Sequence, residues 1–309
     1  MLAAAAHATP AGRSASLAAG ALVFNAFVWG VSWWPLRQLQ AHGLHPLWVT
    51  GLIYLLVFST LLALHFKAWR GIAAYPQLCI LGLVSGLTNI CFNWAVTMGD
   101  VVRVILLFYL MPAWSVLVAW ALLGEKPTWP SLLRLLLAMS GVLVVLKTPH
   151  SPWPLPHSGA DWLAILGGFS FAVTNAMLRK YSHTPSASRM LAMFGGCGLV
   201  ATGVALFGTA QQLLPAPSLE VVSLPILLAL GLGFMASNAA LQYGAARLAA
   251  STTAVVMLTE ILFASLSAAA LGAAQFSPRI LLGGALIVLA AVLAAMAPAG
   301  NGQSGAKSS

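Results

Sequence analysis

Residues 46–66 read PLWVTGLIYLLVFSTLLALHF, 21 residues without a single Asp, Glu, Lys or Arg. An α-helix rises about 1.5 Å per residue, so about 20 apolar residues cross the hydrocarbon layer of a bilayer. This segment is therefore expected to span a membrane. Working outward, similar apolar runs occupy 17–36, 76–97, 101–123 and 130–146. A second set lies at 160–177, 190–210, 221–242, 252–271 and 279–296. The pattern predicts an all-α integral membrane protein with ten transmembrane helices.

Composition agrees. Of 309 residues, 60% are hydrophobic and 6% are charged, against about 25% charged in a soluble domain. Lipid must be the solvent for most of the exterior, so the bilayer is the first partner. The net charge of +9 does not point to nucleic acid, because Lys and Arg stand singly or in pairs rather than clustered on one face. They fit the loops that orient a membrane protein instead. With the N-terminus in the cytoplasm, Arg13, Lys67, Arg70, Lys126, Arg134, Arg179, Lys180, Arg189, Arg247 and Lys307 fall at cytoplasmic ends. Arg37, Arg103, Lys147 and Arg279 fall outside, a division of ten against four. This places a multi-pass chain in the cell (inner or plasma) membrane with both termini cytoplasmic. The apolar run after Arg13 is too long for the core of a cleaved signal peptide. Cys79, Cys91 and Cys197 show no CxxC spacing and read as packing residues.

Gly124 and Pro130 separate two apolar runs, and Gly272 and Pro278 do the same 148 residues later. In the first run of each half, Arg37 matches Arg179 and Ser32 matches Thr174, both at an offset of 142 residues. Two sets of five spans would face opposite ways, because five crossings are an odd number. The expected organisation is a tail at 1–16, a first five-helix repeat at 17–147 and an outer Pro-rich linker at 148–159. A second, inverted five-helix repeat at 160–297 and a disordered tail at 298–309 complete it. Inverted repeats commonly place a solute site near the membrane midplane.

Several short motifs recur in a fixed order. They are Trp29-Gly30, Leu110-Met111-Pro112, Leu123-Gly124-Glu125-Lys126-Pro127-Thr128, Ser140-Gly141-Val142 and Leu258-Thr259-Glu260. In this order the chain resembles the drug/metabolite transporter superfamily, specifically its EamA-type members, from about residue 18 to 297. The resemblance implies ten helices in two inverted repeats and metabolite transport, often export. Two positions depart from the family pattern. Ile261 stands where Pro usually follows the Glu, which removes one source of a kink, and Ala273 stands where a Glu often follows the Gly.

Glu260 carries the sharpest chemical signal, since it lies mid-span in VVMLTEIL. A charged group there costs about 2.5–3.5 kcal/mol on insertion scales. It can couple proton movement to solute movement or pair with a substrate amine; it can also be a structural carboxyl that joins helices. Ser85, Asn89 and Asn93 recur at steps of four on one helical face, and Asn238 and Gln242 share another. Such amides suit a zwitterionic or hydroxylated solute, or simply bridge helices. Asn175 and Asn25 add amides in the sixth and first spans. Trp33 and Tyr109 are the aromatic candidates for a substrate wall, with interface anchoring as the alternative. The substrate-binding set is thus Asn89, Asn93, Tyr109, Trp33, Asn175, Asn238 and Gln242, with Glu260 for proton coupling or substrate pairing.

The chain lacks a GxxxxGK[ST] loop, HExxH and GxSxG. Neither an intrinsic ATP motor nor a familiar hydrolase centre is expected, and no cofactor or catalytic metal is invoked. His150, His157 and Asp161 have no metal spacing. The expected function is secondary transport that exports a small metabolite such as an amino acid, by a monomer or homodimer. An uncoupled facilitator or channel for a small polar solute is the alternative.

Overall fold

A helix closes its backbone hydrogen bonds internally, so apolar runs in lipid fold as helices. The computed structural model describes residues 10–98, 104, 107–146, 156, 158–217, 223–272 and 278–296. The helices are α1 (Pro10–Ala41), α2 (Pro46–Leu64), α3 (Ala68–Ala74), α4 (Gln77–Met98), α5 (Met111–Leu123) and α6 (Trp129–Leu146). They continue as α7 (Gly159–Lys180), α8 (Ser186–Ala210), α9 (Ser223–Ala245), α10 (Ala250–Met257), α11 (Thr259–Ala270) and α12 (Pro278–Ala295).

Local chemistry sets their ends. The His45 side chain accepts from Leu47 N at the start of α2. Ser158 and Asp161 form a reciprocal capping box at the start of α7, which satisfies two of the backbone donors that a helix start leaves orphaned. Arg179 and Lys180 lie in the last turn of α7, where the helix dipole favours positive charge. Gly124 ends α5 with a left-handed φ of 68°, a conformation that costs other residues more.

Among the described residues, seven helices are long and apolar enough to cross a membrane, not the expected ten. They are Ser14–Ala41, Pro46–Leu64, Gln77–Ala95, Gly159–Lys180, Ser186–Ala210, Ser223–Ala245 and Ala250–Ser267. Met111–Leu123, Trp129–Val144 and Leu281–Leu293 are apolar but run only 10–17 residues. The run expected at 101–123 illustrates the cause. Tyr109 and Leu110 form a turn, and Pro112, which has no amide hydrogen, fits the first turn of a new helix rather than the middle of a long one.

The long spans also divide unevenly, with three before residue 147 and four after it. The described residues therefore do not present the expected pair of five-helix repeats. Matched Gly and Pro positions report turn chemistry, and turns recur without requiring equal sets of spans. Residues 1–9, 147–155 and 297–309, with Arg103 and His157, lie outside the described set. Most of the expected tails and of the outer linker falls there.

The packing surrounds a central space. Helix α8 packs against α2 and α4, and α7 against α4 and α5. Helix α1 lies against α9 and α11, and α6 against α12. Glycine brings α4 and α8 into backbone contact: a Cβ on Gly82 would collide with Ala192 O, and one on Gly196 with the Gly82 backbone. Small residues at crossings permit such approach in membranes, where dispersion contacts must drive helix association. Leu199, Leu206 and Phe207 on α8 and Leu64 on α2 are exposed, as lipid-facing side chains should be.

Candidate functional site

Polar side chains in the middle of apolar helices turn inward, because lipid cannot satisfy them. Here they converge on one cavity of about 80 Å³. A buried water needs about 10–15 Å³ measured in this way, so the space holds several waters or one small solute. Its polar wall comes from Asn25 on α1, Tyr54 on α2, and Ser85, Thr88 and Asn89 on α4. Thr174 on α7, Asn238 on α9 and Glu260 on α11 complete it. The apolar wall is Trp29, Phe92, Phe108, Met111, Phe171, Met193, Phe194, Phe234, Leu241 and Met257.

Glu260 occupies the first turn of α11, where a helix N-terminus favours an acidic side chain. The helix is interrupted just before it. Helix α10 ends at Met257 and α11 begins at Thr259, with Leu258 N bonded to Val255 O and Ile261 N to Leu258 O. The break thus forms although Ile261 replaces the family's proline. Gly30 lets α1 close on this segment, since a Cβ there would lie 2.8 Å from Glu260 O. Tyr109, which is 4% exposed, stands beside the carboxyl.

Amides hold the remaining wall. Asn25 Nδ2 donates to Ser237 O at 2.9 Å and to Ser237 Oγ at 2.5 Å. Tyr54 donates to Asn89 Oδ1 at 3.1 Å, and Asn89 Nδ2 donates to Ser85 O at 3.0 Å. Gln242 Nε2 donates to Asn238 Oδ1 at 2.8 Å. The aromatic side chains pack in two groups. Trp29 stacks on Phe234 at 4.5 Å, and Tyr54 meets Phe194 at 5.1 Å. Phe92 lies 4.7 Å from Phe108 across the wall.

An apolar cluster packs toward one end of the bundle. It gathers Ala18 and Leu22 near the start of α1, Leu78 and Leu81 at the start of α4, and Met177 and Leu178 at the end of α7. Leu241 and Ala245 at the end of α9 and Val255 to Leu258 around the α10–α11 break belong to the same cluster. At the same end, Arg189 is buried and donates to Gln242 Oε1 at 3.1 Å and to the Tyr181, Ser182 and Thr184 carbonyls. Arg179 pairs with Glu125 there as well.

Of the polar residues singled out in the sequence, Asn25, Ser85, Asn89, Asn238 and Glu260 line the cavity. Tyr109 stands beside Glu260, and Gln242 is bonded to Asn238; neither lines the cavity itself. Asn93 instead donates to Thr50 Oγ1 at 2.5 Å, and Trp33 Nε1 to Ser267 Oγ at 2.8 Å. Asn175 is 1% exposed and outside the wall, and its amide has no partner among the described residues. Tyr54 and the aromatic wall were not singled out. The Tyr54 hydroxyl, alone in the middle of a span, was the available signal, whereas the phenylalanines look like any other lipid-facing residue. Among the described residues, no group of three His, Cys, Asp or Glu side chains could hold a metal.

Comparison with known proteins agrees with this architecture. Residues 16–147 match the EamA-like transporter family. No curated protein matches the chain. A solved structure described only as "Crystal structure of protein" superposes with a TM-score of 0.74 at 18% identity, covering 90% of this chain and 96% of the other. At that identity the likeness is one of fold. The chain is thus a multi-pass membrane protein related to the EamA and drug/metabolite transporter fold, with an EamA-like transporter domain at residues 16–147.

Proposed function

We propose that the chain is a secondary transporter that moves a small amine-bearing metabolite, the broad class that includes amino acids, by alternating access to the central cavity. One observation carries the reading: a cavity that sets a carboxyl and several polar side chains in a mostly apolar wall lies between helices from both ends of the chain, with a packed apolar cluster at one end of the bundle. The packed apolar cluster favours alternating access over an open channel, because a continuous pore would need a path through it. Glu260 is the candidate for proton coupling or for pairing with the amine. Export and a cytoplasmic N-terminus in the cell membrane rest on the resemblance and on the basic residues, respectively.

The test compares small molecules in the medium of cells expressing the wild type, Glu260→Gln or no transporter, at equal membrane levels. A solute that accumulates outside only with the wild type supports both export and the role of Glu260. A solute exported equally by both proteins leaves Glu260 a structural group. A medium identical to that of cells without the protein counts against export.

A further inference from the structure

The hydrogen-bonding polarity of the cavity wall is fixed from outside the cavity. Arg189 is a donor-only side chain, and its Nε commits Gln242 Oε1 as an acceptor. The Gln242 nitrogen must then point the other way, onto Asn238 Oδ1. Asn238 in turn directs its Nδ2 at Met193 Sδ, 3.7 Å away. Backbone carbonyls orient the other two amides. Ser237 takes both amide hydrogens of Asn25, and Ser85 O takes one from Asn89.

Acceptor capacity remains at the wall, where the Thr174 hydroxyl, also buried without a partner among the described residues, can accept as well as donate. Asn25 is 1% exposed, and its Oδ1 is buried with no partner among the described residues. An ionised carboxylate offers about four lone-pair sites, and Glu260 lines the cavity. No Lys, Arg or His stands among the described residues that line the cavity. The nearby guanidinium of Arg189 is already engaged by Gln242 and by carbonyls at the end of α7.

We infer that the cavity selects a protonated primary or secondary amine on a small apolar or aromatic body, without a free carboxylate. The inference rests on the transport reading above and narrows its substrate class. An ammonium carries N–H donors for Asn25 Oδ1 and Glu260, and it brings the charge that Glu260 lacks as a partner. Trp29, Phe92, Phe108 and Phe234 supply ring faces for the body and for cation–π attraction. A carboxylate on the same solute would enter a wall that already holds a carboxyl and offers no described cation, and a buried unpaired charge is costly. A quaternary ammonium keeps the charge but has no N–H for Asn25.

The test uses the full-length chain in lipid nanodiscs and radiolabelled 2-phenylethylamine, competed by phenylalanine, N-acetyl-2-phenylethylamine and the trimethylammonium analogue. The amine is expected to bind at least about tenfold more tightly than each competitor. Asn25→Leu and Glu260→Gln, each checked for a monodisperse elution profile, are expected to weaken it by a similar factor. Equal or tighter binding of phenylalanine overturns the inference, and so does the absence of saturable amine binding. Uptake of a cell-extract metabolite mixture into proteoliposomes separates the two levels. If Ser85→Trp, which fills the cavity, abolishes uptake of some solute while the amine is rejected, only the substrate class fails. If no uptake depends on the cavity, the transport reading fails with it.

Discussion

Arg179 Nε lies 2.6 Å from Glu125 Oε1, and Arg179 Nη1 donates to Leu248 O at 2.7 Å. One guanidinium therefore joins the end of α5, the end of α7 and the connection from α9 to α10. All three lie at the end of the bundle where the apolar cluster packs. The pair is partly exposed, and such pairs contribute about 0.2–1 kcal/mol. That is too little to decide folding but enough to shift a balance between two conformations several-fold. Glu125→Gln is expected to leave the melting temperature nearly unchanged and to raise thiol-reagent labelling of a cysteine at Ser85 from this face. Restoring the pair in reverse, with Glu125→Arg and Arg179→Glu together, should bring labelling back toward the original rate. Unchanged labelling in Glu125→Gln would remove the pair from the closure.

The α4–α8 contact should tolerate no added side chain. Gly82→Ala places a methyl against the Ala192 carbonyl, and overpacking of this kind costs about 1–3 kcal/mol. A lower melting temperature and a smaller detergent-stable fraction are expected. Gly203→Ala on the same α8, where a Cβ meets nothing within 4 Å, should behave as the wild type. Equal stability of the two variants would contradict the close approach.

Tyr109 and Glu260 should act together. A hydrogen bond to a charged group contributes about 1.5–3 kcal/mol, so Tyr109→Phe is expected to lower solute flux about tenfold or more. Glu260→Gln should abolish the response of flux to an imposed pH gradient if the carboxyl carries the proton. The double variant should be no worse than Glu260→Gln alone. Additive losses in proteoliposome flux would show that the two side chains act separately.

His45 gives a pH signature outside the spans. Burial lowers its pKa below the usual 6.5, so the folded chain favours the neutral ring that accepts from Leu47 N. A depressed pKa adds stability that is fully present above the unfolded value and is lost as pH falls through the folded one. The melting temperature should therefore fall on acidification below about pH 6.5. His45→Asn, which keeps a capping acceptor worth about 1 kcal/mol without titrating, should flatten that part of the profile. Identical profiles would exclude the effect.

Apolar run length made membrane spanning legible, because a 21-residue segment such as 46–66 has few other destinations. The same criterion overcounted the spans. Hydropathy does not register that Tyr109 and Leu110 leave the helix, or that a helix restarts at Met111. At the site, Glu260, Asn89 and Asn238 were legible because a polar group in mid-span must be placed somewhere. Asn93 and Asn89 carry the same signal one turn apart, yet Thr50 captures the first and the cavity the second. That choice depends on the neighbouring helix, which no spacing along α4 encodes. The aromatic wall was hidden for the converse reason, since a phenylalanine facing lipid and one facing a solute are the same letter.

Backbone contact at Gly82 and Gly196 leaves no side chain between α4 and α8 to yield, so mechanically these two helices are a single stiff beam. Give in the bundle must sit where the main chain is already interrupted, between Met257 and Thr259 and just ahead of Pro112. Both joints border the cavity, through Met257 and Glu260 on one side and Met111 on the other. A solute lodged there bears on the joints rather than on the beam. On the proposed transport reading, filling the cavity and bending the chain would be one event, with no relay between them.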